Sequence, residues 1–171
     1  ALAIVFLYSY TKRFTSLSHL LLGFCLGMAP AAAWIAVRGR LDGSILLLTA
    51  AVMCWTAGFD IIYACQDYDF DRAEGLRSLP ARVGIGPALW VARGLHAVMI
   101  VLLMWLSGAL GLGPLSVAGI AVVAALLAYE HRLVKPHDLS RVNAAFFTVN
   151  GFVSVVFFLF WVADVAYTAI P

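Results

Sequence analysis

Long unbroken apolar stretches separated by short polar ones set the plan of this 171-residue chain. An α-helix needs about 20 consecutive apolar residues to cross a bilayer. Residues 17–37, 44–64, 87–110 and 142–169 meet that length, and residues 114–129 form a rather short fifth run. The opening residues 1–8, ALAIVFLY, read as the end of one more span whose beginning is missing. The pattern therefore predicts an all-α fold: a polytopic transmembrane helix bundle of five full spans plus the end of another, forming one domain over residues 1–171.

Local signals refine the plan. Gly23-x-x-x-Gly27 in the first full span lets two helix backbones approach closely, and Pro30 predicts a kink there. The connection over residues 65–86 is long for a bundle, so a functional role is expected of it. Its first part should prolong the second span as helix to about Glu74, with Gly75 as the cap and Pro80 preventing continuation. Pro87 suits the start of the next span.

Composition agrees: 64% hydrophobic residues, 12% charged residues and a mean hydropathy of +0.98 exclude an ordinary soluble domain. Cys25, Cys54 and Cys65 lie in or beside apolar runs and read as packing residues, with no disulfide or metal spacing. No basic leader precedes the first apolar run and no small-residue cleavage site follows it, so a signal peptide is not expected.

Charge adds orientation. Loops alternate sides, so residues 9–18, 65–86 and 130–141 share one face. That face carries Lys12, Arg13, Arg72, Arg77, Arg82, Arg132, Lys135 and Arg141, against Arg38 and Arg40 on the other. The bias places the loop at residues 65–86 in the cytoplasm.

That loop holds the candidate chemistry. Residues 60–80, DIIYACQDYDFDRAEGLRSLP, contain four aspartates, a glutamate and two arginines. At 100° per residue, Asp60, Tyr63, Asp67, Asp71 and Glu74 fall within about 80° of one another, with Asp69 opposite. Carboxylates gathered on one face at the mouth of a membrane span call for a cation, and oxygen donors favour a hard ion such as Mg²⁺ held jointly with substrate phosphates. The expectation is a metal-assisted diphosphate site. Asp69 reads as a solvated residue.

The pattern D-x-x-Y-A-x-x-D-x-x-x-D-x-x-x-G-x-x-S-x-P at residues 60–80 resembles the second Asp-rich motif of the UbiA superfamily of intramembrane prenyltransferases. Tyr8-x-x-x-Lys12 is similar to that family's Y-x-x-x-K motif, and the GFCLGMAP run keeps the family's order of elements. The resemblance covers essentially the whole chain and corresponds to the C-terminal part of a nine-helix fold. The family's first Asp-rich motif has no counterpart here: the only acid before residue 60 is Asp42, on the opposite face.

The resemblance implies Mg²⁺-dependent transfer of a polyprenyl group from polyprenyl diphosphate to an aromatic acid acceptor. It implies Asp67 and Asp71 as metal ligands, Asp60 as a supporting acid, and Lys12 with Arg77 holding the departing diphosphate. Tyr8, Tyr63 and Ser78 would line the substrate. Residues 129–151 look most like bacterial quinone-pathway members, both 4-hydroxybenzoate polyprenyltransferases and their menaquinone-route relatives, which implies a bacterial inner membrane. A chain without the first motif is expected to be inactive alone. Relatives with haem, chlorophyll or glycerol-phosphate substrates remain alternatives. Nucleic acid is not an expected partner.

A transporter with an Asp-rich cation relay is the competing class, although such acids usually lie near the midplane between inverted repeats. Further polar residues are given structural readings. Arg93 is expected to snorkel or face the interior, His96 to be a hydrogen-bonded interior histidine, and Asp164 to be interfacial. Asn143, Asn150 and Ser154 repeat at i, i+7, i+11, so they either line an acceptor cavity or bond across helices.

Overall fold

A computed structural model describes residues 10–168. The expected partial span at residues 1–8, and Tyr8 within it, lie outside the described residues. The helices are α1 (Ser18–Arg38), α2 (Gly43–Ala64), α3 (Tyr68–Ala73), α4 (Leu79–Val83), α5 (Ile85–Ala109), α6 (Pro114–Leu133) and α7 (Asn150–Thr168). The sole extended pairing among the described residues is a bridge between Lys135 and Asp138. Five helical segments are long and apolar enough to cross a membrane, as the apolar runs predict.

In lipid, burial of apolar surface does not drive helices together, so close backbone contact and interior hydrogen bonds must do so. Gly23 and Gly27 are that contact for α1 and α2: a Cβ on either would overlap a carbonyl of α2, from Met53 or Thr49. Helix α2 also packs along α5, and α6 along α7. One buried core lies near the Asp-rich end, built on Ile61, Ile62, Leu89, Val134 and Val142. A second, around Met99, Leu103, Ile120 and Val153, fills the middle of the bundle. Large apolar side chains such as Trp90, Trp105 and Phe158 point outward, as a lipid-facing surface requires.

Several boundaries differ from the sequence reading. The helix carrying the acids is not one unbroken α-helix to Glu74. A 3₁₀ turn at Cys65–Asp67 separates α2 from α3, and the α-helical run ends at Ala73, with Gly75 following at φ 66°. The supposed loop after it holds α4, whose first turn accommodates Pro80 and is capped by Ser78. Helix α5 begins two residues before Pro87, which still falls in the first turn, where a missing N–H is harmless.

Helix α6 runs one turn past residue 129, so Glu130 belongs to the bundle interior rather than to a polar loop. Asp164, expected at the interface, packs against the start of α6. It is fully buried, and its carboxylate accepts hydrogen bonds from the N–H groups of Gly113 and Leu115, capping α6 from the neighbouring helix. A π-helical turn at Ala144–Val149 breaks the Asn143–Asn150–Ser154 stripe. The added residue per turn leaves Asn143 exposed and Asn150 buried, and Asn150 bonds across helices to Trp55 and Glu130.

Candidate metal and diphosphate site

The site is built where α2 runs out. Its 3₁₀ turn and α3 carry the acids, and the segment leading into α1 carries the base. Lys12 Nζ lies 3.3 Å from Asp71 Oδ2 and 3.6 Å from Asp67 Oδ2. Asp71 is 1% exposed, whereas the side chain of Asp67 is nearly half exposed. The helical-face argument therefore holds for this pair: two carboxylates four residues apart converge on one cation. A buried carboxylate such as Asp71 needs that partner, since removing one member of a buried ion pair costs about 3–5 kcal/mol.

Backbone contacts hold the two segments together. The Arg77 N–H donates to the Lys12 carbonyl at 2.6 Å, and the Arg77 guanidinium donates to the Phe14 carbonyl at 3.1 Å. Arg82 reaches Ser16 Oγ at 3.0 Å. Arg77 is exposed beside the acids rather than in contact with them.

Asp60 makes a contact of its own. Its Oδ2 lies 2.6 Å from Nδ1 of His19, in the first turn of α1. The Leu79 N–H donates to the other ring nitrogen, Nε2, at 3.3 Å. Because Nε2 is an acceptor there, the ring proton sits on Nδ1 and is donated to Asp60. His19 thus ties α1, α2 and the start of α4 at one point. It is buried, and the sequence reading passed it over because a lone histidine inside an apolar run carries no spacing signal.

The remaining candidates divide. Tyr63 packs tilted against Phe146, with ring centroids 4.4 Å apart; Phe59 continues that aromatic wall to Trp55. Ser78 is buried, and its Oγ accepts from the Ala81 N–H as a helix cap. Asp69 and Glu74 are exposed.

Among the described residues, no group of three or more His, Cys, Asp or Glu is arranged to hold a metal ion. Mg²⁺ asks for less, because it is commonly bound through one or two carboxylates with phosphate oxygens completing the shell. Asp67 and Asp71, two hard oxygen donors already aimed at one cation, fit that requirement.

Comparison with known proteins decides the family. The model of the UbiA prenyltransferase family matches residues 1–162. The chain belongs to that family. Among curated relatives, the 4-hydroxybenzoate octaprenyltransferase of Edwardsiella ictaluri is 31% identical over 159 residues, covering 93% of this chain and 55% of the relative. The enzyme of the same name from Chromohalobacter salexigens is 29% identical over 157 residues, covering 92% and 52%. The apo structure of a UbiA homolog from Aeropyrum pernix K1 superposes with a TM-score of 0.80 at 33% identity, covering 96% of this chain and 61% of that one. This UbiA family chain spans about half the length of the curated relatives it matches.

Proposed function

We propose that the full-length protein transfers a polyprenyl group from polyprenyl diphosphate to an aromatic acid acceptor of the 4-hydroxybenzoate type, in quinone biosynthesis. The observation that carries this reading is the Lys12 ammonium held between Asp67 and Asp71, in a chain whose curated relatives are named for that reaction.

Asp67 and Asp71 would hold Mg²⁺, which supplies positive charge against the diphosphate oxygens. The chain's own groups do the rest. Lys12, already between the acids, exchanges a carboxylate for a diphosphate oxygen and stabilises the charge that develops as the allylic C–O bond breaks. Arg77 stands exposed beside it as a second cation. His19 keeps Asp60 oriented and α4 docked, so that the acids and the basic segment stay in register. Tyr63 and the Phe146 ring against it present an aromatic face to the allylic cation, a contact worth roughly 2 kcal/mol when dry. The acceptor ring attacks that cation and then loses a proton.

The basic residues beside the acids orient this end toward the cytoplasm of a bacterial inner membrane, where diphosphates and Mg²⁺ are available. These residues carry one Asp-rich motif of the family's two, so residues 1–171 on their own are expected not to transfer the prenyl group. The test uses membranes containing the full-length protein, labelled polyprenyl diphosphate and 4-hydroxybenzoate. Label transferred to the ring only when Mg²⁺ is present supports the reading. Accumulation of label without covalent product overturns it.

A further inference from the structure

A second polar cluster lies inside the bundle, away from the aspartates. Glu130 on α6 is fully buried. Its Oε1 accepts from Asn150 Nδ2 at 3.1 Å, and the amide is fixed that way round because Asn150 Oδ1 accepts from Trp55 Nε1 at 2.7 Å. Its Oε2 is equally buried and has no hydrogen-bond partner. The group facing that oxygen is His96 Nδ1 on α5, at 3.8 Å.

His96 has a built seat. A side chain at Gly58 of α2 would overlap the imidazole, so the glycine leaves the space the ring fills. Its Nε2 lies 3.2 Å from the Trp55 carbonyl, which can only accept, so Nε2 carries a proton. The free position, Nδ1, is then shared by two neighbours: Glu130 Oε2 and His131 Nε2, the latter at 3.0 Å. His131, with Arg93 and one edge of His96, lines a groove of about 150 Å³ between α5 and α6.

We propose that Glu130, His96 and His131 form an intramembrane proton-binding site, in which one proton is shared between Glu130 and His96 and exchanges through His131. An unpaired carboxylate has a large solvation penalty in a membrane interior. One proton removes it in either of two arrangements: a carboxylic acid beside a neutral imidazole, or a carboxylate beside an imidazolium. Both are net neutral, so moving the proton between them adds no charge to the interior. The groups facing the pair from α2 and α7, the Trp55 carbonyl and Asn150, are neutral. Arg93 lines the groove on the His131 side, which marks where charge and solvent are met. Glu130, His96 and His131 are not arranged to hold a metal ion together, so a proton is the ligand the cluster fits.

The experiment is infrared difference spectroscopy of the full-length protein in lipid, recorded in H₂O and D₂O over a pH series. The expected result is a protonated-carboxyl band that shifts in D₂O, disappears in Glu130→Gln and moves in Glu130→Asp. His131→Phe should keep the band but slow its exchange with D₂O. Gel-filtration and thermal unfolding of each variant show whether it is folded. A folded Glu130→Gln protein with an unchanged carboxyl spectrum overturns the site, and unchanged exchange in folded His131→Phe overturns the route.

Discussion

His19 and Asp60 meet at 2.6 Å across 41 residues of sequence. The same imidazole accepts the Leu79 N–H, so one ring sets the relation between the first turn of α1, the last turns of α2 and the approach to α4. Partners that orient site groups in this way commonly cost 10–100-fold in activity when removed. In the full-length protein, His19→Ala should lower kcat by roughly that 10–100-fold. His19→Asn should recover part of the loss, since an amide can still donate to Asp60. A prenyl-transfer assay on both variants checks this; wild-type kcat in His19→Ala refutes it.

The three neighbouring aspartates should respond unequally. Asp71 is buried on Lys12, Asp67 is half exposed on the same Lys12, and Asp69 faces solvent. Asp67→Ala and Asp71→Ala should abolish transfer, while Asp69→Ala is tolerated. Asp71→Ala should lower the unfolding temperature only slightly, by about 1 kcal/mol or less of stability, because Lys12 is partly exposed and keeps Asp67 as a partner. Equal behaviour of all three in transfer assays would show that the helical face does not matter.

How much of this was legible in the residues follows from what leaves a periodic trace. Apolar runs of membrane length predicted the five spans, because burying a backbone in lipid demands them. Asp67, Asp71 and Lys12 were readable because helical spacing and a family-like motif both pointed to them. The 3₁₀ and π turns were not, since each is a one-residue change in backbone pitch that composition does not mark. His19, Glu130 and Asp164 were missed or misplaced for a common reason. Each is a single polar residue near a helix end, and only the partner on another helix reveals what it does.

Asp164 gives the clearest stability prediction of these. Its two oxygens take the N–H groups of Gly113 and Leu115, donors at the start of α6 that have no partner within their own helix. Asp164→Ala should destabilise the bundle by about 1–2 kcal/mol, the usual size of a lost N-cap. Asp164→Asn keeps one acceptor oxygen and should lose less. Chemical unfolding in micelles ranks the two, and no difference between alanine and wild type would show that water substitutes for the cap.

Glycines separate packing from propensity in a way that a double mutant can measure. Gly58 is filled against the His96 ring, whereas nothing lies within 4 Å of a Cβ placed on Gly94 of α5. Gly94→Ala should therefore be neutral or stabilising by up to about 1 kcal/mol, the helix preference of alanine over glycine. Gly58→Ala should cost about 1–3 kcal/mol through overpacking. The obstacle at Gly58 is a side chain, so shortening it relieves the clash: Gly58→Ala combined with His96→Ala should be more stable than the sum of the two single losses predicts. At Gly23 the obstacle is the Met53 carbonyl, a backbone atom, so no side-chain deletion should rescue Gly23→Ala. Strict additivity at Gly58 and His96 in unfolding experiments would mean that the ring moves aside freely and that its seat between α2 and α5 is not fixed.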